Sequence, residues 1–213
     1  MDRLGLTSDV AAALPIRTIG LTGGIGSGKS TAAQVLVDCG AHLVDTDAIS
    51  RALTAAGGAA MAPLAAAFGQ QVVALDGALD RARMRELAFG DPQVKAQLER
   101  VLHPLIGAET GRQAEAAQGR PVVYDVPLLA ESTHWRARVE RVLVIDCDEA
   151  TQIDRVAQRP GWSREMAQRV IAQQAPRAVR LAIADAVILN VGLTLAQFQE
   201  AVRSVWRSWQ ERA

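Results

Sequence analysis

Eight consecutive residues, Gly23-Gly24-Ile25-Gly26-Ser27-Gly28-Lys29-Ser30, match G-x-x-x-x-G-K-[ST] without a gap. The residue types dictate the chemistry. Glycines let successive backbone N–H groups curl around phosphate oxygens with no Cβ in the way. A helix starting at the end of the run turns its positive N-terminal end toward the same anion. Lys29 is then expected to reach the β- and γ-phosphates of a nucleotide, and the Ser30 hydroxyl to ligate Mg²⁺. Gly24, Ile25, Gly26, Ser27, Gly28, Lys29, Ser30 and Thr31 together form the expected nucleotide cradle. Four fixed positions arise by chance in roughly 1% of chains of this length. The motif therefore specifies a nucleotide-phosphate site.

A phosphate loop alone does not separate kinase, GTPase and ATPase. The N-K-x-D motif that reads guanine is absent, and the D-x-x-G run Asp2-Arg3-Leu4-Gly5 lies upstream of the loop. A small-molecule kinase fits the length. Asp45-Thr46-Asp47 follows the second apolar run. Carboxylates there suit a proton acceptor for a substrate hydroxyl, while Asp47 equally suits the cap of a helix beginning at Ala48. Asp125 closes the run Val122-Val123-Tyr124-Asp125; it reads as a metal-orienting acid or as a plain strand end. Arg155, Arg159, Arg164 and Arg169 lie around Pro160-Gly161. They form either a solvated face or a lid that closes arginines onto transferring phosphates, with Arg155 paired only once phosphate is bound.

The elements that must position these groups alternate in type. Residues 16–21, 41–44, 121–126, 141–146 and 186–189 read as short apolar strands, with helices over 29–38 and 194–210. Strands of this kind separated by helices indicate an α/β fold with a parallel sheet covered on both faces. Residues 48–118 are almost wholly helical, with Pro104 expected to kink or divide the last segment. This block is too long for a simple crossover and reads as an inserted subdomain. A basic helical stretch covers 149–183, and its 149–176 part is the candidate lid.

Composition bounds what such a machine serves. The chain has 213 residues, 49% hydrophobic and 22% charged, with Lys+Arg and Asp+Glu both 23. One large domain with a real core is expected. Zero formal charge argues against a nucleic-acid partner. Apolar runs fall far short of the ~20 residues that span a bilayer. Cys39 and Cys147 have no close-spaced partner and read as small hydrophobes, as in a reducing cytoplasm.

Several segments together resemble the dephospho-coenzyme A kinase family. They are residues 19–31, Val44-Asp45-Thr46-Asp47, Leu79-Asp80-Arg81, Leu102-His103-Pro104-Leu105-Ile106, Asp125-Val126-Pro127-Leu128-Leu129, Arg155 with Gln158-Arg159, and Ala184-Asp185 through Asn190. The resemblance implies a P-loop NTPase core with a five-stranded parallel sheet in the order 2-3-1-4-5. It also implies a helical coenzyme A-binding subdomain over 48–118 and an arginine-bearing lid. Residues 16–213 would be a single kinase domain, and 1–15 an extension. The implied reaction is Mg·ATP-dependent phosphorylation of the ribose 3′-hydroxyl of dephospho-coenzyme A, in the cytoplasm, by a monomer or weak homo-oligomer. By position, Asp47 would be the base, and Lys29 and Arg155 would stabilise phosphoryl charge. Arg159 would close with the lid and Asn190 would lie near adenine. His103 and Asp80 would stand on the substrate side, with Ser30 and Asp125 around the metal.

Overall fold

Alternation of buried apolar residues along short strands requires cover on both sides of a sheet. In the computed structural model, which describes residues 16–210, that sheet is all parallel. The expected extension over 1–15 lies outside the described residues. Strands β1 (Thr18–Gly23), β2 (His42–Asp45), β3 (Val122–Asp125), β4 (Arg141–Asp146) and β5 (Ala186–Leu189) take the order β2-β3-β1-β4-β5. Ile19, Leu21, Val123, Leu143 and Ile145 face one core, filled from helices α1 (Lys29–Asp38) and α10 (Leu195–Gln210) by Leu36, Phe198 and Val202. The alternate residues Val122, Tyr124, Val142 and Val144 face a second core with Val44, Leu129 and Val139. Both faces are covered, as the apolar runs require.

Register brings the C-terminal strand ends to one edge. Asp45 pairs in register with Asp125, Leu21 with Asp125, and Gly23 with Ile145. Parallel α/β sheets place ligands at this edge. Strand β1 runs two residues further than expected, because Thr22 and Gly23 keep pairing with β4.

The helical block contains α2 (Thr46–Leu53), α3 (Met61–Phe68), α4 (Arg81–Phe89) and α5 (Pro92–Glu115). Its own small core joins Ala60, Met61 and Leu64 to Leu98, Val101, Leu102 and Leu105. Pro104 does not divide α5, which is continuous over 24 residues. Proline removes one N–H donor from a helix, and here Leu102 and Leu105 anchor the chain on both sides of it. A short helix, α6 (Thr133–Arg138), was not expected from the sequence. Ser132 caps it by accepting from the Trp135 N–H at 3.3 Å. The remaining helices are α7 (Glu149–Ala157), α8 (Arg164–Gln173) and α9 (Arg177–Ala182). Pro160 and Gly161 lie in the connection from α7 to α8. Among the described residues, no helix is long and apolar enough to cross a membrane.

Candidate active site

Strand β1 delivers the phosphate loop, and α1 starts at Lys29 directly after Gly28. Gly28 has φ +104°, and a Cβ there would lie 2.7 Å from the Asn190 Nδ2. At Gly23 a Cβ would meet the Ile145 carbonyl oxygen at 2.4 Å. These two glycines are thus needed for left-handed backbone and for close approach.

The loop is held from outside by side chains that bond its backbone. Asn190 donates through Nδ2 to the Ser27 carbonyl at 2.8 Å. Arg155 donates to the carbonyls of Gly26 at 3.2 Å, Ser27 at 3.4 Å and Asn190 at 3.0 Å. The Gln174 Oε1 accepts the Ile25 N–H at 3.0 Å. Arg155 is therefore not waiting for phosphate to find a partner, contrary to the expectation from its place beside Pro160. It braces the loop beforehand.

The acids divide their work. Lys29 Nζ forms an ion pair and hydrogen bond with Asp125 Oδ1. Asp125 is 7% exposed. Its burial pushes the carboxyl above its usual pKa, against the opposing pull of Lys29, with Asp45 and Asp47 adding to the rise. The Thr46 hydroxyl donates to the Asp125 carbonyl at 2.9 Å, tying the start of α2 to β3. Asp45, not Asp47, caps α2, accepting from the Ala48 N–H at 2.8 Å. Asp47 stands in the first turn of that helix, exposed.

A cavity of about 470 Å³ gathers Gly24, Ile25, Gly26, Gly28, Lys29, Ser30 and Thr31 with Asp47, Pro127, Arg155, Arg159 and Gln174. Arg159 is exposed, and its guanidinium has no hydrogen-bond partner among the described residues. Arg164 and Arg169 are turned elsewhere. Arg164 pairs with Asp154 at 2.6 Å, and Arg169 reaches the Glu165 carbonyl at 3.4 Å. A neighbouring cavity of about 260 Å³ lies between the loop and the start of α10, lined by Gly28, Thr31, Asn190, Leu193 and Phe198.

Two expected residues lie apart from the loop. His103, exposed on α5, lines a cavity of about 700 Å³ with Trp135 and Arg138 of α6. Asp80 caps α4, accepting from the Arg83 N–H at 2.9 Å. Gln174 was not singled out from the sequence, and Pro127 was named only within the family-like segment 125–129, without a role of its own. Gln174 belongs to no spacing motif, and only the fold brings it to the loop.

Among the described residues, no group of three or more His, Cys, Asp or Glu side chains is placed to hold a metal by itself. The donor set instead suits Mg²⁺ carried by nucleotide phosphates, which needs few protein ligands. Ser30 lines the cavity, and the Asp125 carboxylate is paired with Lys29, which lines it as well.

Comparison with known proteins agrees across the chain. The family model described as dephospho-CoA kinase matches residues 17–195. The dephospho-CoA kinase of Bordetella pertussis is 56% identical over 176 residues, covering 83% of this chain and 82% of that protein. That of Burkholderia pseudomallei is 48% identical over 196 residues, covering 92% and 97%. The solved structure of TT1252 from Thermus thermophilus superposes with a TM-score of 0.78 at 31% identity, covering 92% of this chain and 98% of that one.

Two outcomes follow from this geometry. Arg155→Ala removes charged donors from three backbone carbonyls, so the ligand-free protein should lose about 1–3 kcal/mol in urea unfolding. An unchanged midpoint would return Arg155 to a role confined to bound phosphate. Lys29→Ala removes both influences that lower the Asp125 pKa. The folded carboxyl then titrates still further above its unfolded value, and the folded state binds the extra proton. Stability should therefore fall more steeply than in wild type as pH rises from about 4 toward 7. Urea midpoints across that range, parallel in the two proteins, would contradict this.

Proposed function

The chain belongs to the dephospho-CoA kinase family, and we propose that it transfers the γ-phosphoryl group of ATP to the ribose 3′-hydroxyl of dephospho-CoA. The observation carrying this reading is the shared cavity in which Asp47 faces the phosphate loop, Lys29, Arg155 and Arg159. Proton acceptor, phosphate cradle and cationic stabilisers stand around one space.

Phosphoryl transfer asks a protein mainly for positioning and charge stabilisation. Backbone N–H groups of the loop and the N-terminus of α1 take the phosphates. Lys29 shares its charge between Asp125 and the β/γ oxygens. Arg159, on the proposed lid, supplies a cation with no competing partner among the described residues. Asp47 accepts the proton of the attacking hydroxyl; Asp45 leaves it free by capping the helix in its place. Ser30 and Asp125 would hold Mg²⁺, which when bound offsets phosphate charge. Adenine fits the smaller cavity beside Asn190. On the substrate side, His103 offers a contact from α5, whereas Asp80 acts through its hold on α4. Free Cys39 and Cys147 suit a reducing cytoplasm.

A coupled ADP-release assay with dephospho-CoA, adenosine monophosphate and shikimate in parallel tests the acceptor. Dephospho-CoA should stimulate turnover far more than the others; equal stimulation by adenosine monophosphate would assign the chain a different acceptor. Asp47→Asn should lower turnover about 10²–10⁴-fold, with ATP affinity and melting temperature close to wild type. Near-normal turnover in that variant would remove Asp47 as the base.

A further inference from the structure

Gln174 follows α8 directly, at the turn into α9. A backbone N–H can only donate, so the Ile25 N–H fixes the Gln174 amide with Oε1 toward the loop at 3.0 Å. The other half of that amide, Nε2, carries two protons and has no protein partner among the described residues. Gln174 also lines the cavity that holds Lys29, Arg155, Arg159 and Asp47.

The turn presenting Gln174 is fixed on both sides. The next residue, Ala175, donates its N–H to the Glu131 carboxylate at 2.8 Å. The Ala175 carbonyl accepts from Arg180, which is 6% exposed and has no carboxylate partner among the described residues. One turn further, Arg177 grips Asp146 at the end of β4, with Nη2 2.5 Å from Oδ2. A neutral amide held this firmly beside a phosphate loop is a preorganised donor, the kind that acts on developing charge without reorganising.

We propose that Gln174 is a further phosphate-contacting residue. Its amide accepts from Ile25 and donates to an oxygen of the terminal phosphoryl group, with Glu131 as a positioning residue for the turn. The proposal rests on reading the cavity as the phosphoryl-transfer site. ATP and ADP binding measured by calorimetry tests it without any acceptor substrate, so a failed acceptor assignment leaves the result readable. In Gln174→Ala, the Kd for ATP should rise about tenfold, equivalent to ~1.4 kcal/mol, with ADP affinity nearly unchanged. Gln174→Glu keeps the acceptor for Ile25 but replaces the donor with a negative charge, so it should bind ATP more weakly than the alanine variant. Glu131→Ala should mimic Gln174→Ala, and Glu131→Gln, which keeps an acceptor for Ala175, should restore ATP binding. Melting temperatures near wild type exclude general unfolding. Wild-type ATP affinity in Gln174→Glu would leave only a tether to Ile25 and overturn the proposal. So would tighter ATP binding in Gln174→Ala, or equal losses for ATP and ADP.

Discussion

A loop that presents inward-facing N–H groups to an anion leaves its carbonyls facing out, and buried carbonyls need donors of their own. The architecture around residues 23–31 answers that requirement. Arg155 from α7 and Asn190 from the end of β5 supply donors to the carbonyls of Gly26 and Ser27, while Gln174 instead accepts from the Ile25 N–H. Strand order makes the arrangement possible. With β1 between β3 and β4, the loop emerges beside Ile145, while β4 pairs directly with β5 and brings Asn190 within reach. The loop is thus shaped by side chains from three later segments of the chain. Its glycines permit the conformation, and those side chains, two donors and one acceptor, select it.

The same economy governs charge. Lys29, which lines the cavity, and the buried Asp125 hold each other. Burial raises the pKa of Asp125, so its ionised form depends on the cation beside it. An incoming phosphate competes for that cation rather than meeting an isolated one. Asp47 is treated differently: Asp45 takes over the helix cap and Thr46 ties the helix to β3, leaving the Asp47 carboxylate exposed to the cavity. Three consecutive residues therefore separate the tasks of capping, anchoring and lining the cavity.

Much of this was legible from residue types. The phosphate loop, the helix over 29–38 and the strands over 141–146 and 186–189 follow from glycine spacing and apolar runs, because those signals are local. The sheet order came from the family resemblance rather than from periodicity. What escaped depended on contacts distant in sequence. Whether Asp45 or Asp47 caps α2 turns on where the helix begins, and the tether of Thr46 to β3 bears on that. The brace formed by Arg155 joins residues more than a hundred positions apart. Gln174 lies in a Gln-Gln-Ala-Pro stretch without a motif, and only the packing of α8 against α7 and the bond to Ile25 give it a role. Helix α6 is too short to show periodicity, and continuity of α5 through Pro104 reflects anchoring on both sides rather than local propensity.

The phosphate loop is held in shape by its own side-chain partners, and the proposed role of Asp47 is to meet the acceptor hydroxyl. A crystal structure of the protein with a non-hydrolysable ATP analogue and dephospho-CoA tests both parts at once. The loop backbone should keep its ligand-free path, with the phosphates inside its arc. The Asp47 carboxylate should lie within about 2.6–3.2 Å of the ribose 3′-hydroxyl. A loop that refolds around the phosphates, or a ribose hydroxyl bound beyond the reach of Asp47, would contradict the account.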